Sequence, residues 1–216
     1  MAGLRFEPQS TFSMEPIELE KMMNVLNLRE GRGYSQFELS FLMGFRDFYV
    51  RDVENPFHTL QYSVPNNGYL MWIFNCGIDG IVPAKLPITD APTHRVSTAT
   101  DEGGKLIFKM EKLGDDGKWV TLKIFSEEPK DLLLPSPSKL SEDEIKEWVS
   151  KKFEKGSFFK KPKTALEVLQ ACEKDLDSPV RPIHLASALK DYTAKKKSPR
   201  LIKSSNDMGR FTFVKE

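Results

Sequence analysis

The hydrophobic pattern is helical near the start of the chain. Over residues 17–29, apolar side chains recur at mainly helical spacing. Pro16 precedes this segment at a position that favours the first turn of a helix, and Gly31 and Gly33 follow it. The pattern therefore predicts a first helix that ends at these glycines.

Further helices are predicted directly after the first one. Ser35 and Glu38 have the spacing of a capping box, in which each side chain binds a backbone N–H near the helix start. Gly44 ends this second helix, because glycine readily adopts the left-handed turn conformation. A third helix is predicted over 46–55, and Asn66 is expected to cap a fourth.

The middle of the chain changes from helical to alternating spacing. Residues 81–95 are rich in proline, which predicts an extended connection. Apolar residues then alternate over 106–110 and again over 120–124. Gly114 and Gly117 bound the turn between these two runs, so the pattern predicts a β-hairpin.

The last part of the chain returns to helical spacing. Two more capping boxes begin helices here, at Ser141 with Glu144 and at Thr164 with Glu167. Pro182 begins a further helix, and the chain closes with a short predicted hairpin around 206–209.

Together these elements predict an α+β fold that is mainly helical. A helix-turn-helix bundle is expected over 1–76, an extended connection with a β-hairpin over 77–137, and a basic helical domain with a C-terminal hairpin over 138–216. Helices followed by a hairpin are also the arrangement of a winged helix, an analogy that rests on element order alone.

Charge is distributed unevenly although the net charge is only +1. Residues 151–216 contain 16 Lys and Arg against 8 Asp and Glu, whereas residues 1–150 contain 16 basic and 23 acidic residues. This split fits two alternatives. The basic part faces nucleic acid, or the two halves attract each other.

Several classes of protein are not indicated by the sequence. No apolar run has the length of a membrane span and the N-terminus lacks a leader's apolar core, so a cytoplasmic protein without membrane contact is expected. The three histidines are scattered, and no catalytic or phosphate-binding motif is visible. The sequence therefore predicts no enzyme, no metal site and no cofactor.

Residues 17–56 resemble the Cro/repressor-type (XRE-like) helix-turn-helix family. The resemblance is carried by the string from Leu28 to Leu39, by Gly44, and by the segment from Val50 to Asn55. In that family the second helix of the pair lies in the major groove while the first crosses the phosphate backbone. The resemblance implies that Gln36 contacts the backbone and that base edges or flanking phosphates are contacted by Arg46, Asp47, Phe48 and Arg51.

The same segment departs from the family in its outer face and its charge. Phe37 and Phe41, four positions apart, form an apolar ridge where the family is usually polar. Such a ridge is expected to be covered by a later part of the chain or by a partner. Residues 17–56 also contain five basic and seven acidic residues, although DNA binding depends on neutralising phosphates.

The C-terminal region supplies the positive charge that this segment lacks. The residues expected to contact DNA there are Lys195, Lys196, Lys197, Arg200, Lys203 and Arg210. The alternative is that these residues do not contact DNA and form a solvated, lysine-rich helix end. A second basic run over 151–163 encloses Phe158 and Phe159, which either stack on a nucleic-acid single strand or enter the core.

The sequence thus predicts a DNA-binding protein, a bacterial transcriptional regulator that uses a helix-turn-helix. Its expected partner is double-stranded DNA, bound by a homodimer, since regulators of this family read two half-sites. The alternative is a protein–protein interaction module that keeps the helix-turn-helix shape without binding DNA, with its partner on Phe37 and Phe41.

Overall fold

The computed structural model describes residues 5–9, 15–84 and 93–216. Within these ranges the chain forms seven α-helices and two small antiparallel sheets, which confirms the predicted α+β class. The helices are α1 (Pro16–Gly31), α2 (Gln36–Leu42), α3 (Tyr49–Glu54), α4 (Val64–Phe74), α5 (Glu142–Glu154), α6 (Ala165–Leu176) and α7 (Pro182–Thr193). The strands are β1 (Glu7–Gln9), β2 (His94–Thr100), β3 (Leu106–Leu113), β4 (Trp119–Ser126), β5 (Lys163–Thr164), β6 (Leu201–Ser205) and β7 (Phe211–Lys215).

The described residues group into two compact units that differ from the three predicted domains. The first unit takes the described residues within 1–28 and 51–129, and the second takes 29–50 and 130–216. The predicted helix-turn-helix bundle is therefore divided. The reason is packing: α1 buries its apolar face on the sheet of the first unit, whereas α2 packs against α6 and α7 of the second.

The first unit is built on a four-stranded sheet with strand order β1-β2-β3-β4, and every neighbouring pair is antiparallel. The predicted hairpin is confirmed as β3 and β4. One face of the sheet packs on α1 in a core formed by Leu19, Met22, Met23, Leu26, Val96, Phe108, Met110 and Phe125. The proline-rich connection predicted over 81–95 falls largely on residues 85–92, outside the described ranges.

The second unit ends in the order helix, strand, helix, helix, strand, strand, formed by α5, β5, α6, α7, β6 and β7. Its sheet has the order β5-β7-β6, with the short β5 paired to the last strand. The predicted terminal hairpin is confirmed, with its turn at 206–209 between β6 and β7.

The local helix signals are largely confirmed. All three capping boxes form, at Ser35 with Glu38, Ser141 with Glu144 and Thr164 with Glu167. The third helix is shorter than predicted, because its helical geometry begins only at Tyr49. The fourth helix begins earlier than predicted: Ser63 is its N-cap, and Asn66 lies buried inside its first turn. Among the described helices, none combines the length and apolar character needed to cross a bilayer.

Gly44 joins the α2–α3 turn to the C-terminal hairpin. Its φ of 73° lies in the left-handed region, where side chains other than glycine are strained. The Phe211 amide donates a 2.7 Å hydrogen bond to the Gly44 carbonyl oxygen. A Cβ at Gly44 would lie 3.0 Å from Cβ of Arg210 and 3.2 Å from the Phe211 nitrogen. The hairpin and the turn therefore approach each other closely only because residue 44 has no side chain.

A matched pair of substitutions separates backbone strain from this close approach. Gly209 has nearly the same φ, 70°, but its Cβ would meet nothing within 4 Å. We expect Gly209→Ala to lower the free energy of unfolding by about 1 kcal/mol, from strain alone. Gly44→Ala is expected to cost the same strain and, in addition, about 1 to 3 kcal/mol of unfolding free energy from overpacking. Urea denaturation followed by circular dichroism measures both losses, and equal losses would contradict the packing described here.

Candidate nucleic-acid interface

The helix pair of the second unit that precedes the hairpin is α6 and α7. Helix α6 ends at Asp177, which takes the left-handed conformation, and Pro182 occupies the first turn of α7. Leu185 and Leu189 of α7 are buried, which leaves Lys190 on the exposed side of the helix. Along its length α7 packs against α2, α5 and β6.

Exposed lysines follow α7 directly along the chain. Lys195 is held over aromatic rings, with its Nζ 4.2 Å from the ring centroid of Tyr192 and 5.3 Å from that of Phe153. Lys196 and Lys197 are exposed and form no ion pair within the described part of the chain. Their charges are therefore not neutralised by a neighbouring carboxylate.

The hairpin adds a further positive charge. Lys203 on β6 is exposed, and its Nζ lies 3.9 Å from the ring centroid of Phe211. We call Lys190, Lys196, Lys197 and Lys203 the lysine face. The surrounding unit is positive as a whole, with 22 basic and 16 acidic residues, whereas the first unit has 10 basic and 15 acidic residues. Anions are therefore attracted to the second unit.

The two C-terminal arginines predicted to contact DNA have internal partners instead. Arg200 forms an ion pair with Glu216, at 2.7 Å between Nε and Oε2. Arg210 is buried, with 3% of its surface exposed, and its guanidinium donates a 2.6 Å hydrogen bond to the Met43 carbonyl. The burial of Arg210 follows from the close approach of the hairpin to the α2–α3 turn. Neither arginine belongs to the lysine face.

Three of the residues implied by the family resemblance lie at or near the α2–α3 turn. Arg46 and Phe48 are exposed, with 40% of the Phe48 surface accessible. Asp47 forms an ion pair with Lys130, so part of its negative charge is neutralised. Arg46 lies two residues after Gly44, whose carbonyl accepts the hydrogen bond from the hairpin.

The other two implied residues are placed differently. Gln36 has 3% of its surface exposed, because α2 packs against α6 and α7 and its first turn becomes interior. As it lies in this structure, Gln36 does not reach a DNA backbone. Arg51 belongs to the first unit, where it is paired with Asp52 at 3.2 Å.

The apolar ridge on α2 is in contact with a later part of the chain. The ring centroids of Phe41 and Phe213 are 6.4 Å apart, and Lys130 Nζ lies 4.9 Å from the ring centroid of Phe37. Both phenylalanines are partly buried in this way. Of the two alternatives for covering the ridge, the chain's own hairpin therefore accounts for Phe41.

The second basic run is structural around its aromatic residues. Phe159 is buried, and Phe158 packs edge-on against both Trp148 and Phe159. These rings enter the core of the unit and do not form a stacking surface for a nucleic-acid single strand. Nearby, burial raises the pKa of the Cys172 thiol to about 12, so this cysteine is a structural thiol.

Within the described ranges, no three His, Cys, Asp or Glu side chains are arranged to hold a metal ion. Comparison of the chain with models of known protein families, with curated proteins and with solved structures gives no match. No relative therefore assigns a function to any of the residues described above.

Proposed function

We propose that this protein binds double-stranded DNA through the lysine face of its second unit and regulates transcription. The supporting observation is the coincidence of two features in the last part of the second unit. The order of elements from α5 to β7 is that of a winged helix, and Lys196 and Lys197, which follow α7, have no acidic partner in the described ranges. In winged-helix proteins, DNA binding combines a helix in the major groove with unneutralised positive charge nearby.

In this proposal α7 enters the major groove and the lysines bind phosphates. Lys190 extends from α7 itself, Lys196 and Lys197 follow its last turn, and Lys203 lies on the adjacent hairpin. Lysine is a flexible point charge, so these four residues supply affinity more than base discrimination. Arg46 at the α2–α3 turn is the proposed base contact, because arginine can bind guanine with two hydrogen bonds.

A protein–protein interaction module is the second candidate function. It is favoured by the edge strand β4 of the acidic first unit, where Val120 and Leu122 have 55% and 42% of their surfaces exposed. Exposed edge strands with apolar residues are common contact sites. The two functions differ in a measurable way, because changing the lysine face weakens DNA binding and leaves a protein complex on β4 intact.

The proposal is tested by neutralising two lysines. In fluorescence anisotropy with a labelled random-sequence duplex, Lys196→Met with Lys197→Met is expected to make the dependence of log K on log salt less steep by about 2. The affinity of this variant for the duplex is also expected to fall, by about tenfold at low salt. The matched control is Lys139→Met with Lys174→Met, two exposed lysines of the same unit outside the lysine face. An equal change in both variants would contradict the assigned surface.

A further inference from the structure

A groove in the second unit lies between α2, α7 and the C-terminal hairpin. Its volume is about 210 Å³. Aromatic rings from three parts of the chain form its walls and floor, namely Phe37, Phe41, Phe45, Phe211 and Phe213. The small residues Gly44, Ala165 and Ala186 also line the groove.

Charged side chains line the groove together with the aromatic rings. Lys130, Lys190 and Lys203 all line it, against the single carboxylate of Asp47. Two of these ammonium groups are held over rings of the groove, Lys203 over Phe211 at 3.9 Å and Lys130 over Phe37 at 4.9 Å. Asp47 is already paired with Lys130, so the positive charges of Lys190 and Lys203 remain for a ligand.

The chemistry of the groove determines the class of ligand that fits it. Flat apolar surfaces favour an aromatic body, since rings pack well in offset or edge-on contact with phenylalanine. The uncompensated lysines favour a negative charge at the open end and disfavour a cation. The volume is below the roughly 300 to 1,000 Å³ of drug-sized sites, which restricts the ligand to a small molecule.

We propose that this groove binds a small aromatic carboxylate, with its ring among the phenylalanines and its carboxylate paired with Lys190 and Lys203. The proposal of a ligand site does not require that the protein binds DNA. A consequence for regulation rests on the proposed function. Lys190 and Lys203 also belong to the lysine face, so the bound anion and DNA compete for them. Each then weakens the binding of the other by the same factor.

The ligand site is tested with a matched pair of probes, 1-naphthoate and its neutral amide 1-naphthamide, titrated into the full chain by calorimetry. We expect naphthoate to bind at least about tenfold more tightly, because only it forms charge-assisted contacts with the lysines. Lys190→Met with Lys203→Met is expected to remove this preference. Ala186→Phe fills the groove and is expected to abolish binding of both probes. Lys139→Met with Lys174→Met, outside the groove, is the control.

The outcomes separate the ligand site from the proposed function. Absence of naphthoate binding at millimolar concentration, equal affinities for the two probes, or unchanged binding by the lysine variant would overturn the site. Circular dichroism checks that the Ala186→Phe variant is folded. If it is unfolded, the test of the ligand site rests on the variant with Lys190→Met and Lys203→Met. In a separate anisotropy titration, naphthoate is expected to weaken DNA binding. If naphthoate binds tightly but does not change DNA binding, the proposed competition with DNA is contradicted, whereas the ligand site is supported.

Discussion

Replacing Glu38 with alanine is expected to lower the free energy of unfolding by about 3 to 5 kcal/mol. The Glu38 side chain is fully buried in the second unit. Its carboxylate accepts hydrogen bonds from the Ser35 amide at 2.8 Å and from the Ile183 amide at 3.2 Å, and lies 3.4 Å from Nε of Arg181. Alanine leaves both amides and the guanidinium without this partner in a dry environment, which is costly.

Glu144 provides the matched control for this prediction. It closes the same kind of capping box with Ser141, whose amide donates to it at 2.8 Å, but it is exposed at the start of α5. Water replaces its carboxylate after Glu144→Ala, so the loss of stability should be far smaller. Urea denaturation of both variants gives the comparison. Similar losses would show that Glu38 acts only as a helix cap and does not hold α7 to α2.

Reversing the whole lysine face is expected to reduce DNA affinity by at least about 100-fold at low salt. The variant carries glutamate at positions 190, 196, 197 and 203, all of them exposed lysines. Four phosphate contacts are lost, and four negative charges then repel the duplex. Fluorescence anisotropy measures the loss, and the melting temperature should change little because the side chains are exposed.

The control for this prediction changes the same number of charges elsewhere in the second unit. Glutamate replaces the exposed lysines Lys139, Lys155, Lys160 and Lys174. This variant changes the net charge of the protein equally, so it accounts for long-range attraction. If both variants lose affinity equally, the lysine face is not a defined surface, and binding depends only on the overall charge of the unit.

Local features of the fold could be predicted because neighbouring residues determine them. Each capping box needs only Ser or Thr and a Glu three residues later, and all three form as expected. The two hairpins follow from alternating residues around glycine-containing turns. The hydrophobic pattern does not predict strand β2, because five of its seven residues are polar. It forms a hairpin with the next strand, β3, and also pairs with the distant β1.

The division into units could not be predicted, because it depends on contacts between distant parts of the chain. Glu38 and Ile183 are hydrogen-bonded across 145 positions, and this contact belongs to the packing that places α2 in the second unit. A short amphipathic helix does not reveal which partner will cover it. The burial of Gln36 follows from the same packing, although the family resemblance places that residue at a DNA backbone.

The candidate interface could be predicted in part. The cluster of lysines in the C-terminal region is predicted directly, because it can be counted in the sequence. Arg200 and Arg210 belong to the same cluster, yet one is paired with the last residue of the chain and the other is buried. The groove is even harder to predict from the sequence than the lysines. Phe37 and Phe41 form a predicted ridge, but only the folded hairpin brings Phe211 and Phe213 to it.

The most direct test of the DNA-binding proposal is the affinity of the full chain for a labelled random-sequence duplex as a function of salt. Fluorescence anisotropy between about 50 and 200 mM salt covers the range in which phosphate contacts dominate. Engagement of the four lysines predicts that log K falls linearly with log salt, with a slope of about −3.6 or steeper. Absence of binding at about 50 mM salt, or an affinity independent of salt, would contradict the proposal.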